Sequence, residues 1–160
     1  MKKRIVLLVV LISSVAISTS AQLSFGAGAV LGTNAGIGSI GFGVNARVNY
    51  ALEKFDLSGG VTYFIPSTSS VLGITTSTGE INADAHYSFL KQDDIAVYGL
   101  GGLNLTLLTA SASDGGHSIS NSAVGLGLDL GVGATYKKFF AETKYDTSLA
   151  QLALTVGMNF

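Results

Sequence analysis

The chain has 160 residues, no cysteine, one proline, a formal net charge of −1 and only 12% charged residues, while 48% are hydrophobic. Without cysteine there is neither a disulfide framework nor a thiolate metal site. Charge is about half of what a soluble domain carries, and no basic stripe is present to meet nucleic acid.

"MKKR" followed by "IVLLVVLI" and the small residues of "SSVAISTSAQ" reads as a secretory signal peptide cleaved after Ala21. The remainder, residues 22–160, is expected to form a single domain. It holds six cations against ten anions, a net of −4. No segment in it approaches the roughly 20 consecutive apolar residues of a membrane-spanning helix.

Period two recurs along this remainder and helical periodicity does not. Eight alternating segments are expected, at 22–32, 40–52, 55–65, 80–90, 95–107, 123–136, 139–146 and 151–160. In "FGVNARVNY" the apolar set is Phe42, Val44, Ala46, Val48 and Tyr50; in "INADAHYSF" it is Ile81, Ala83, Ala85, Tyr87 and Phe89. In "LGLDLGVGATY" it is Leu126, Leu128, Leu130, Val132, Ala134 and Tyr136. The connections alternate between tight charged turns (Glu53-Lys54, Lys91 to Asp94, Lys137-Lys138) and Ser/Thr/Gly-rich stretches at 33–39, 66–79 and 108–122, with a short fourth near 147–150. Short inner turns and longer outer loops around an even number of strands are the pattern of outer-membrane barrels.

The charges assign the faces. Arg47, Asp56, Glu80, Asp84, Asp129, Glu142, Lys144 and Asp146 all fall on the polar parity of their segments, and none falls on the apolar parity. A charge facing lipid at mid-depth costs roughly 2–4 kcal/mol, so the apolar parity is read as the lipid face. The competing reading is a soluble, lipocalin-like barrel with its faces reversed. Its exterior should be dense in Lys and Glu, whereas this polar face is mostly Gly, Ser, Asn and Thr. The expected fold is all-β: an eight-stranded antiparallel up-and-down transmembrane barrel. A lumen of that size is filled by side chains, and Arg47, Asp84, Asp129, Glu142 and Lys144, each near mid-strand, are expected to share a structural polar network there.

No catalytic constellation, cofactor site or metal site is expected. His86 and Ser88 have the H-x-S spacing of lipid A deacylase barrels, but they lie on the polar parity near the inner turn, not facing lipid at the outer leaflet. "GIGSIG" matches a dinucleotide fingerprint in letters only, because a strand and no helix follows it. His117 is a lone loop histidine near Asp114 and lacks the converging ligands of a metal centre.

With these features in place, the chain resembles the small outer-membrane β-barrel proteins of OmpA/OmpX type, above all in its last hairpin, "FFAETKYDTSLAQLALTVGMNF", and its terminal aromatic. The resemblance implies that Leu152, Leu154, Val156, Met158 and Phe160 form the signal read by the barrel-assembly machinery, with Met158 standing where the family usually has a second aromatic. It implies outer-membrane lipid as the surroundings, a monomer, no nucleic acid, and a non-enzymatic structural or surface-interaction role. A narrow porin-like or hydrophobic-solute transport barrel is the alternative, and a lipid-modifying barrel enzyme comes third. No peptidoglycan-binding domain is expected, and the outer loops read as moderate, shorter than the protruding outer strands of OmpX-like adhesins.

Overall fold

The computed structural model describes residues 23–36, 39–53, 55–69, 73–114 and 117–160; the signal peptide read at 1–21 and Lys54 lie outside the described residues. Eight strands follow in chain order: β1 (Leu23–Gly36), β2 (Ser39–Ala51), β3 (Phe55–Ser69), β4 (Ile74–Gln92), β5 (Ile95–Asp114), β6 (His117–Tyr136), β7 (Phe139–Asp146) and β8 (Gln151–Asn159). Each pairs antiparallel with its neighbours, and β8 returns to β1, so the sheet closes.

Closure comes with a measurable stagger. In one direction Ala29 pairs with Val44, Val44 with Tyr63, Tyr63 with Gly79, Gly79 with Leu107, and Leu107 with Val124. In the other, Ala29 pairs with Val156, Val156 with Ala141, and Ala141 with Ala134. The two routes meet on β6 ten residues apart, a shear of ten. For eight strands this stagger sets a tilt of about 40° from the barrel axis.

Alternation then sorts the side chains. The expected apolar parity faces outward: Phe42, Val44, Val61, Leu103, Leu126, Leu128 and Leu130 are all exposed. Near the end of the tight turns a ring of exposed aromatics runs round the wall, from Phe25, Phe55, Tyr87 and Phe89 to Tyr136, Phe139 and Phe160. This is the place of an interfacial girdle. Two of the tight turns are two-residue turns opened by a residue in the left-handed region, Asp93 (φ 46) and Lys137 (φ 55).

The wall is far from level. β4, β5 and β6 run for 19, 20 and 20 residues, whereas β7 and β8 have 8 and 9. Much of what the sequence suggested as outer loop at 66–79 and 108–122 is paired strand: Ile74 pairs with Ala112, and β5 with β6 out to Asp114 opposite His117. The moderate loops expected there are therefore replaced by a tall sheet of β3 to β6. Strict apolar alternation fades in these extensions: β6 is exposed on both faces from Ile119 to Val124, which removes the requirement for an apolar side, and the buried inward positions of β4 are threonines, Thr76 and Thr78.

Three aromatic side chains point inward, into a face that the sequence showed as mostly small and polar. Phe64 is buried with Val30, Ala35 and Ala153 beneath the outer end. Tyr98 stands over Gly133, and Phe140 lies against the β1–β8 seam, where Gly28 and Gly157 face each other. A Cβ on Gly157 would lie 2.6 Å from the Phe140 ring and would also meet the Ala27 carbonyl. Gly157→Val is expected to cost about 1–3 kcal/mol through overpacking, seen as a lower urea midpoint for loss of the heat-modifiable gel band. Thr143→Val, on the outer face of β7, should leave that midpoint in place.

Candidate functional site

The lumen is where the chain spends its buried polar groups. Two cations, Arg47 and Lys144, face five carboxylates, Glu80, Asp84, Asp129, Glu142 and Asp146, all inward and buried or half-buried. Buried charges are costly unless paired and hydrogen-bonded, and most of these are. They are arranged as two centres at different depths.

Toward the tight turns, Arg47 of β2 donates from Nη1 to Glu142 Oε1 of β7 at 2.5 Å. Tyr98 of β5 donates its hydroxyl to the same oxygen at 2.7 Å. The Arg47 guanidinium also lies 3.4 Å above the Phe140 ring centroid, a cation–π contact that fixes its plane. His86 stacks on Tyr98 with centroids 4.8 Å apart, and its Nε2 is 4.0 Å from Glu142 Oε1. Three strands, β2, β5 and β7, are thus tied across the barrel through one carboxylate, with His86 of β4 stacked beside it.

Toward the outer end, Lys144 Nζ donates to Asp129 Oδ2 at 2.6 Å. Asn82 donates to the same oxygen at 2.9 Å, and Asn104 donates to Asp129 Oδ1 at 2.5 Å and to Asp146 Oδ1 at 2.7 Å. Asp146, wholly buried, also receives the backbone N–H and the hydroxyl of Ser148. Gln151 bridges it to Glu80, donating to Glu80 Oε1 at 2.7 Å and to Asp146 Oδ2 at 3.4 Å. The β7–β8 turn, Thr147–Ala150, folds over this centre. Ser148 shares a hydrogen bond with Thr106 at 2.7 Å, and Asn34 donates to the Leu149 carbonyl at 2.6 Å.

Of the five residues proposed from sequence, Arg47 and Glu142 meet in the first centre, and Asp129 and Lys144 in the second. Asp84 lies between them on β4, with Oδ1 buried and without a hydrogen-bond partner among the described residues. Glu80 and Asp146 belong to the second centre although the sequence placed them near strand ends. The shear brings them inward of the tall β4–β6 wall, and the paired register (Asp129 opposite Asp146) is the signal that identifies them. Tyr98, Asn82, Asn104 and Gln151 were not singled out from sequence, because one amide or phenol on a polar parity carries no pattern. His86 makes no hydrogen bond to Ser88 among the described residues, and both line the inner vestibule of the lumen. The side chain of His117 lies outside the described residues.

Between the two centres the lumen narrows. The space at mid-depth, lined by Arg47, Glu80, Asn82, Asp84, Glu142 and Lys144 among others, amounts to about 20 Å³, room for about one water molecule. A wider vestibule of about 150 Å³ opens at the tight-turn end and stops at Arg47 and His86.

On β8, Leu152, Leu154, Val156 and Phe160 face outward and are exposed, and Met158 is half-buried. The last residue closes the ring: Phe160 donates its N–H to the Phe25 carbonyl at 2.7 Å, and Phe25 N–H returns to the Phe160 carbonyl at 3.4 Å.

A closed antiparallel barrel with an apolar belt outside and a charged, filled interior defines the class of transmembrane β-barrels. Solved structures of small eight-stranded outer-membrane barrels share this fold. The chain is similar to Ail, the attachment invasion locus protein of Yersinia pestis, with 20% identity over 87% of this chain and 97% of that one and a TM-score of 0.50; with the heparin analogue sucrose octasulfate bound to Ail, the TM-score is 0.52. It is similar to the N-terminal β-barrel domain of Pseudomonas aeruginosa OprF, with 19% identity, 86% and 97% coverage and a TM-score of 0.57. A major outer membrane protein from Thermus thermophilus matches at 14% identity, 86% and 99% coverage and a TM-score of 0.52. No family model matches the chain, and no curated protein does.

Two sets of substitutions test the lumen. Arg47→Leu leaves Glu142 without its cation and is expected to cost about 3–5 kcal/mol in urea unfolding from lipid vesicles, with the Arg47→Leu/Glu142→Leu double variant recovering most of it. Glu80 is held by Gln151 and makes no ion pair among the described residues, so Glu80→Gln is expected to hold or raise the same unfolding midpoint. Asp146→Asn removes the anion on which Asn104 and Ser148 converge and should lower it, by about 1–3 kcal/mol.

Proposed function

We propose that the chain is an integral outer-membrane barrel without enzymatic activity, exported by its signal peptide, inserted by the barrel-assembly machinery through its last strand, and holding a tall β-sheet above the outer leaflet for surface contact. The observation that carries this reading is the lumen, sealed by two buried ion-pair centres with space for about one water between them. A transport barrel needs a continuous path, and an acyl-chain enzyme needs a cavity beside a nucleophile; neither fits a filled section. The deacylase-like pair is also misplaced for lipid chemistry, since His86 stacks on Tyr98 inside the lumen.

The outer surface supports contact of a particular kind. Residues 33–40, 66–79, 108–123 and 147–150 contain no Lys or Arg. A polyanion such as the heparin analogue bound by Ail finds no cationic group there, so that ligand stays with Ail. The surface is made of Ser, Thr, Gly and apolar β-formers, and backbone groups are its main recognition chemistry.

The test is depth-resolved. Leu130, 73% exposed at mid-height on β6, meets hydrocarbon in this reading, whereas Ser122, on the same parity, stands above it. Leu130→Arg is expected to cost about 2–4 kcal/mol in vesicle-based urea titrations, and Ser122→Arg less than about 0.5 kcal/mol. The native protein should add no discrete conductance to a planar bilayer. Equal penalties at the two positions would remove the membrane placement, and stepwise conductance would remove the sealed lumen.

A further inference from the structure

β6 rises twelve residues, His117–Leu128, beyond its last partner on β7, which is Asp146 opposite Asp129. On its other side the ladder to β5 is unbroken. Leu128 marks which backbone groups look toward the vacant side. Its N–H goes to Thr147 Oγ1 at 2.7 Å, and its carbonyl receives the Thr147 N–H at 3.0 Å. The alternation of an antiparallel ladder puts the N–H and C=O of Leu126, Val124, Ser122 and Ser120 on that same edge. Among the described residues no strand pairs with them.

Edge strands are ordinarily protected by Lys, by Pro, by a bulge or by an inward charge. This edge has none of these. Residues 118–128 contain no Lys, Arg, Asp, Glu or Pro, the register with β5 has no shift, and Ile119 to Val124 are exposed on both faces. An unprotected, uncharged strand of this length is a template for another strand.

We propose that the open edge of β6 is a self-complementary docking strand whose partner is the β6 edge of a second copy of this chain. The proposal rests on the surface-contact reading above and names the partner. Identical edges meet without like-charge repulsion, and a two-fold pairing satisfies both rows of donors and acceptors at once. The tilt selects which two-fold. Two copies side by side in one membrane are related by an axis along the membrane normal; their strands, each leaning about 40°, then cross at about 80° and form no ladder. A two-fold perpendicular to the wall reverses the strand in place and gives an antiparallel ladder through Ser120 and Ser122. That operation also inverts the barrel axis. The paired barrels therefore sit in two apposed membranes, and the joined sheets bridge them.

The substitutions follow from the parity. Ser120→Pro and Ser122→Pro delete N–H donors that face the open edge and leave the ladder to β5 intact, since Pro is tolerated on an edge strand when its missing N–H would face outward. The full chain is reconstituted into two populations of phosphatidylcholine vesicles carrying different fluorophores, and docking is read by fluorescence cross-correlation. Native vesicles are expected to dock, and the Ser120→Pro/Ser122→Pro variant to lose docking at least tenfold while keeping its gel-mobility shift. A synthetic peptide of residues 117–128 should compete. Asn121→Lys, exposed and lying on the two-fold between Ser120 and Ser122, sets like charges face to face without touching the backbone; it provides the second variant should the proline pair fail to fold, and is expected to lose docking equally. The proposal is overturned by absence of docking in the native protein, by docking that both variants retain, or by docking of native vesicles to bare ones, which would make lipid the partner. The conductance and depth measurements above are independent of docking, so a failure here is separable from a failure of the sealed-barrel reading.

Discussion

Hydrocarbon supplies no hydrogen bonds, and this one fact governs the molecule. A strand that crosses it must pair on both edges, so the eight strands have to close, and closure with tilted strands imposes a stagger. The shear of ten then decides everything at the next level: which residues share a depth, which inward side chains meet, and how far one side of the wall rises above the other. Arg47 reaches Glu142 across 95 positions of sequence because the ring brings β2 and β7 to the same section, not because of any local preference.

Inside, the constraint is width. An eight-stranded ring leaves space for side chains and little else, and those side chains need small neighbours. Gly28, Gly157 and Gly133 accommodate Phe140 and Tyr98, which in turn hold Arg47 and Glu142. The excess of carboxylates over cations is handled by hydrogen bonding: Asp146 has no salt bridge among the described residues yet accepts from Asn104, Ser148 and Gln151. Charge and packing are thus one problem in this lumen, and a substitution that alters either is felt by the other.

Most of the wall was legible in the residues, because a lipid face and a lumen face differ sharply in what they tolerate. Leu126, Leu128 and Leu130 against Gly127, Asp129 and Gly131 could be assigned by parity alone, and the tight charged turns marked one end. Two things were hidden. The outer extensions of β4 to β6 carry Ser and Thr on both faces, so the apolar alternation that announces a strand is absent from "STSSVLGITTSTGE" and "TASASDGGHSISNSA", and they read as loops. The second was the composition of the polar network. Period two says that Glu80 and Asp146 point inward but not at which height, and height depends on the shear, a property of the closed ring that no single segment contains. The inward aromatics Phe64, Tyr98 and Phe140 escaped for a similar reason, since an apolar residue on the polar parity looks like an exception until its glycine partner on the neighbouring strand is known.

The Phe140 ring rests on the β1–β8 seam and carries the Arg47 guanidinium, and that position has a kinetic meaning. Until the first and last strands meet, the ring has no floor and the ion pair above it has no fixed geometry. A half-zipped sheet would turn two cations and five carboxylates toward the bilayer interior. Completing the hoop and ordering its contents are therefore coupled, because the Phe160–Phe25 hydrogen bonds and the floor beneath the Arg47–Glu142 pair belong to the same seam.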